Sequence, residues 1–241
     1  MRRRTALADF VAGKRLRRFV RTSLLLTAML PICAAQAQFC APVAIPNHYG
    51  PFDYNVEKGG GLQQVERVHF TPAVEALLRG SSGYLGGDLS YTLNAFPNHH
   101  RALASIMRWG ATTRNPQPPH LQFSIDCYFD RATRFRPRDT VVRSLYAMHL
   151  AQNNRKADAM KQLQYAREVA SESAISLHNI GLVYFELKEY EPAREAARAA
   201  VALGFPSVPL VTRLKSVGQW DDAREAATAA ASAASAQPAP R

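Results

Sequence analysis

The chain is short of several things, and each shortage removes a class of explanation. Three cysteines in 241 residues are too few for a disulfide-dense scaffold. The longest apolar run, SLLLTAMLPICAA at 23–35, contains Pro31 and falls below the roughly 20 residues of a bilayer-spanning helix. No Gly-Lys-Ser/Thr follows the glycines at 59–61 or the LGGD at 85–88, so neither is a phosphate loop. A nucleophile elbow, a clustered carboxylate motif and paired histidines at i, i+4 are missing as well. Acidic residues number 19 against 30 basic ones, for a net charge of +11.

That charge is unevenly placed. Arg2, Arg3, Arg4, Lys14, Arg15, Arg17, Arg18 and Arg21 precede the apolar run, which is followed by Ala35-Gln36-Ala37. A basic leader, a short apolar core and an A-x-A site read as a secretory signal peptide over 1–37, cleaved after Ala37. Cys33 and Cys40 follow Ile32 and Phe39, where a lipoprotein signal requires a small residue. The remainder holds 22 basic and 18 acidic residues, so a nucleic-acid partner loses its electrostatic basis. A periplasmic location is expected, with membrane contact only through the leader.

Export leaves two cysteines, Cys40 and Cys127. In an oxidising compartment they are a candidate disulfide; two separate thiols remain the alternative, since sequence cannot place them within bonding distance.

The strongest internal signal is self-similarity. LKEYEPAREAARAA at 187–200 and VGQWDDAREAATAA at 217–230 share seven of fourteen positions at an offset of thirty. Upstream the offset is 34: Ala147 corresponds to Gly181, Leu150 to Tyr184, Ala159 to Ala193, Leu163 to Ala197 and Ala166 to Ala200. Small and apolar positions recurring every 34 residues predict paired antiparallel helices. The clearest unit runs over 174–206, preceded by one over 140–173. An earlier unit pairs a first helix over 98–109 with a second marked by Ile125, Phe129, Ala132 and Phe135, with GATTRNPQPPHLQ between them. The last unit has Leu210 and Leu214 on its first helix and Trp220, Ala223, Ala227 and Ala230 on its second. Its four missing residues are assigned to the junction LGFPSVP. The final residues, 234–241, have little to bury and read as a disordered tail.

Residues 38–96 show no repeat and are rich in Pro, Gly and Asn. LQQVERVHF reads as a short strand. TPAVEALLRG reads as a helix with Thr71 as N-cap, Pro72 at its first position and Gly80 at its end. Asp88 reads as the cap of another short helix.

With Leu177, Ile180-Gly181, Tyr184, Tyr190, Ala193, Ala197 and Ala200, the 174–206 unit resembles a tetratricopeptide repeat. YGPFDY, HFTPAVEALLRG, LGGDLSYTL, FPNHHRAL and CYFDRA resemble uncharacterised exported bacterial proteins of that class. The resemblance implies an all-α, short solenoid of helical hairpins over 97–233 behind a loop-rich N-terminal segment. It also implies an envelope location and brings no known activity; with the catalytic motifs missing, a binding or scaffolding role without catalysis or cofactor is the expectation. By that resemblance, a protein or peptide partner lies on the concave face of the first helices, at Ser144, Met148 and Gln152, then His178, Leu182 and Phe185. The alternative is that the tail or the N-terminal segment of the same chain fills this groove. The competing reading is a metal-binding or hydrolytic site around His69, Asp88, His99 and His100. Adjacent His99 and His100 point about 100° apart on a helix, and His99 shares a face with Leu103, Ile106 and Met107, which favours a packed histidine.

Overall fold

The computed structural model describes residues 40–170 and 172–235. The leader with its cleavage site, and residues 236–241 of the tail, lie outside the described residues. Among those described the chain is all-helical, with eleven helices and no strand. These are α1 (Gly60–His69), α2 (Pro72–Glu75), α3 (Leu85–Ala95), α4 (His100–Thr113), α5 (Ile125–Phe135) and α6 (Thr140–Gln152). There follow α7 (Lys156–Val169), α8 (Ala174–Glu186), α9 (Tyr190–Ala202), α10 (Val208–Ser216) and α11 (Asp222–Ser235).

The 34-residue period is written in the backbone as well as in the side chains. The residues preceding α6, α8 and α10 are Asp139, Ser173 and Ser207, each 34 after the last. Two residues past the end of each of these helices the chain turns left-handed, at Asn154, Lys188 and Gly218. Each turn is closed in the same way. Arg155 N–H donates to Leu150 O at 2.9 Å, Glu189 N–H to Tyr184 O at 2.9 Å, and Gln219 N–H to Leu214 O at 2.8 Å. These bonds satisfy carbonyls that a helix end otherwise leaves unpaired. The turns fold α6 onto α7 and α8 onto α9 as the two most intimately packed helix pairs. First helices then stack in order, α4 on α6, α6 on α8 and α8 on α10.

Small residues allow this approach. Ala147, Ala159, Ala166, Ala193, Ala197 and Ala200 are buried. At Gly181 a Cβ would sit 2.4 Å from Leu210 Cδ2 and 3.1 Å from Ala196 Cβ. The glycine therefore serves α9 and also the following first helix. One core cluster runs from α6 through α10, a second joins α2–α6, and a third gathers Leu62, Val65, Ala95 and Phe96.

Several details differ from the sequence expectation. LQQVERVHF is helix α1, because Leu62 and Val65, three apart, form the buried edge and the run follows a 3.6-residue period. TPAVEALLRG yields only the single turn α2. Thr71 occupies the cap position without a side-chain bond, and the left-handed Leu77 stops the helix well before Gly80. Tyr84, not Asp88, precedes α3. Helix α4 extends to Thr113, so the first residues of GATTRNPQPPHLQ are helical. The four missing residues of the last unit are not in LGFPSVP: Ser173 and Ser207 keep the period of 34, and α10 has 9 residues where α8 has 13. The last first helix has lost one turn. Trp220 lies just ahead of α11, donating from Nε1 to Asp222 Oδ1 at 3.1 Å, and Ala234 still belongs to that helix.

The N-terminal segment is fastened down at successive points. Cys40 and Cys127 are disulfide-bonded. Arg134 donates to Ala41 O at 2.6 Å, and Arg131 to Pro42 O at 3.0 Å and Val43 O at 2.9 Å. Arg131 is fully buried, donates also to Asn94 Oδ1 at 3.0 Å, and lies over the rings of Phe123 and Tyr128. Burial brings its pKa down to about 10, so it is still a cation at neutral pH.

Further along, Asp139 collects five donors. Asn55 Nδ2 lies at 2.8 Å, Asn98 Nδ2 at 3.1 Å, His100 Nε2 at 2.9 Å, and the Val141 and Val142 amides at 3.1 Å each. Asp139→Ala should destabilise the protein by about 3–5 kcal/mol, read from denaturant midpoints, because it removes a helix cap and leaves buried donors unmatched. Reducing the disulfide should cost about 2–5 kcal/mol. Alkylation of the denatured, unreduced chain over residues 38–241, which lacks Cys33, should find no free thiol.

Candidate functional site

Helices α6 and α8 each leave one face without a covering element. On α6 the incompletely buried positions Val141, Leu145, Met148 and Gln152 run at helical spacing, and on α8 their counterparts 34 residues later are Ile175, Asn179, Leu182 and Glu186. Val141 is 39% and Ile175 61% exposed. Between the two rows lies a groove of about 170 Å³, whose walls include Val141, Leu145, Met148, Asn179 and Val183. Ligand pockets for small molecules begin at roughly 300 Å³, whereas a dry cavity of about 150 Å³ accepts one benzene. The groove is the size of one apolar side chain.

The six residues expected on this face divide. Met148 and Ser144 line the groove, Ser144 at its floor with Oγ donating to Thr140 O at 2.8 Å. Leu182 is half-buried against the α6–α10 core and is not part of the groove's lining. Gln152 lies at the far end of the α6 row and lines a different cleft. His178 is only 6% exposed. Its Nδ1 lies 2.7 Å from Ser207 Oγ, and its ring packs on Phe205, so it ties α8 to the start of α10 and is not presented. Phe185 turns toward Tyr190 and Arg213.

The same face of α4 carries polar and charged groups that the chain itself engages, although Arg101 and Arg108 stay exposed to solvent. Cap-to-cap alignment of His99 with Asp139 places Arg101, Ser105 and Arg108 where α6 has Val141, Leu145 and Met148. All three are engaged by Glu75 at the end of α2. Arg101 Nε reaches its carboxylate at 2.8 Å, while Ser105 Oγ at 3.1 Å and Arg108 Nη2 at 2.8 Å donate to its carbonyl. On α10, Arg213 leans back to pair with Glu186.

The histidines sort into separate pairs. His99 is fully buried: Nδ1 accepts from the Ala102 amide at 3.2 Å, and Nε2 donates to Glu66 Oε1 at 3.1 Å. His100 binds Asp139, and His69 Nδ1 lies 2.9 Å from Asp88 Oδ1. Ser82 joins the last pair, with Oγ 3.0 Å from His69 Nδ1. Serine, histidine and aspartate here do not form a proton relay. A relay needs the hydroxyl and the carboxylate on opposite ring nitrogens, whereas here both meet Nδ1, and the hydroxyl also donates to Asp88. The Ser81 and Ser82 amides complete Asp88's shell at 2.6 and 3.1 Å, so this carboxylate holds a loop against α3. Among the described residues no group of three or more His, Cys, Asp or Glu side chains is arranged to hold a metal ion, and no helix is long and apolar enough to cross a membrane.

Two depressions far larger than the groove lie elsewhere. A polar cleft of about 570 Å³ opens where α4 and α6 end, with His149 held by Asp126 at 2.7 Å. An apolar one of about 690 Å³ separates α9 from α11. Asp139 and Arg131 were not singled out by sequence reasoning. Asp139 had a readable signal, a cap-type residue 34 before Ser173; a cation held by backbone carbonyls has none. No protein-family model, curated protein or solved structure matches this chain.

Burial pushes the His99 pKa below its ordinary value, against the opposing pull of Glu66. The unfolded chain therefore takes up this proton first, near pH 6.5, so stability is complete above that pH and falls as pH drops below it. Burial would raise Asp139, Asp53 and Asp88, but the hydrogen bonds donated to them prevail and hold all three below the usual range. Their contributions are lost in a second decline below about pH 4. Burial lowers the His178 pKa in the same way. Urea midpoints measured from pH 8 to 3 should therefore show both declines, and His99→Asn should shrink the first without abolishing it while leaving the second.

Proposed function

We propose that this chain is an exported protein-binding module of the bacterial cell envelope that holds a short apolar segment of a partner in the groove between α6 and α8. The observation that carries the reading is the contrast along the stacked first helices. The face is charged and engaged by the chain's own α2 at α4, carries an exposed ion pair between α8 and α10, and is open and apolar in between.

Exposed apolar groups on a rigid, repeated surface favour side-chain anchoring of a peptide or helix. The tetratricopeptide-like period supports the same use of the first helices, and the Cys40–Cys127 bond suits an oxidising compartment. The arrangement of His69, Asp88 and Ser82 gives the hydrolytic alternative no comparable support.

A photo-crosslinking residue at position 145, in protein expressed in the periplasm, should capture a discrete partner. The same residue at the exposed Tyr165 on α7 should not. Leu145→Glu should abolish co-purification of that partner while circular dichroism and melting behaviour persist. Undiminished co-purification from the charge variant would sink the reading.

A further inference from the structure

We propose that the groove of α6 and α8 reads the charge order of the segment it holds, taking an apolar side chain flanked by an acidic residue over α6 and a basic residue over α8. This rests on the groove reading above and adds the partner's chemistry to it. Arg138 and Glu172 are the residues just before Asp139 and Ser173, so they stand at equivalent places ahead of the two helices whose first turns, at Thr140 and Ser176, begin the lining of the groove. Both are exposed, and neither has an ion pair or hydrogen bond among the described residues. Arg138 also walls a depression of about 270 Å³ with Asn55, Arg136, Pro137 and Asp139.

The other charges nearby are committed. Arg136 pairs with Asp53, Asp139 is saturated by its five donors, and Arg143 donates to Pro137 O and Gln162. At the opposite end Glu186 is occupied by Arg213. The starts of the two helices therefore offer one unmatched cation at α6 and one unmatched anion at α8. Adjacent packed helices lie about 8–10 Å apart, close to the Debye length of about 8 Å at physiological salt. At that separation each charge acts mainly on what lies above it.

Fluorescein-labelled peptides with a shared Ala-Leu-Leu centre provide the probe: one acidic-first, one basic-first and one with glutamine at both charged positions. Each is titrated by anisotropy against the oxidised chain beginning at Gln38. Exposed charge pairs each change affinity a few-fold, so a preference of about tenfold for the acidic-first peptide over the basic-first one is expected. The exchange Arg138→Glu with Glu172→Arg should invert that preference, and Leu145→Glu should lose all binding. Equal affinity for the three peptides, or a preference that survives the exchange, overturns the charge reading; if Leu145→Glu still abolishes binding, the groove itself stands. Binding indifferent to Leu145→Glu, or none up to 1 mM peptide (about −4 kcal/mol), overturns both.

Discussion

The buried carboxylate of Asp139 is the point on which the rest of the molecule is hung. It caps α6, but three of its five donors come from elsewhere: Asn55 in the N-terminal segment, and Asn98 and His100 at the start of α4. A buried charge is tolerated only when its hydrogen-bonding capacity is filled, so this carboxylate demands that three separate stretches arrive together. The fastening recurs down the array in weaker form. Thr140 donates to Ser176 Oγ at 3.3 Å between α6 and α8, and His178 meets Ser207 between α8 and α10. Each first helix is pinned to its predecessor near its start, by a charge at one end of the series and by uncharged side chains thereafter.

The N-terminal segment finishes the end of the array that Asp139 anchors. A repeat protein must cover the exposed face of its first unit, and this chain does so with irregular backbone as well as helix. Irregular backbone has carbonyls to satisfy, and Arg131 and Arg134, on one face of α5, supply donors to three consecutive ones. The disulfide at Cys40 holds the segment in reach of those arginines. The same strategy places Glu75 on Arg101, Ser105 and Arg108. Covering the array's end and occupying the first-helix face of α4 are two results of one arrangement.

How much of this was legible follows from what a sequence encodes directly. Helices α6–α9 were readable because the small residues at helix contacts recur at a fixed period, and those contacts admit few alternatives. Helix α1 was misread because, in a run of nine residues, a few apolar positions fit a period of 2 nearly as well as one of 3.6. The shortened unit was recognised but misplaced. Comparing second helices measures the summed change in connection and first helix, and only the position of Ser207 separates them. The expected surface row 144, 148, 152 took strict steps of four, which drift by about 40° each around a helix. That drift carries Ser144, and its counterpart His178, onto the buried flank. The asymmetry of the site could not be read at all, since engaging that face of α4 depends on where an unrepeated loop returns.

That asymmetry limits what the groove can hold. Two first helices about 10 Å apart present a strip roughly 20 Å across, the length of about six extended residues at 3.3 Å each. A segment longer than that meets Glu75 and α2 on one side and the Arg213–Glu186 pair on the other. The pocket between the rows admits one side chain. A single buried apolar side chain contributes roughly 1.5–3 kcal/mol, well short of the −8 kcal/mol of a micromolar complex. Tight binding therefore needs either a preorganised partner, which loses less entropy on docking, or further contacts beyond the pocket. The exposed Val141 and Ile175, flanking it on the two helices, are placed to supply them. A short, locally rigid segment with one deep anchor and two shallow ones is what this surface is built to accept.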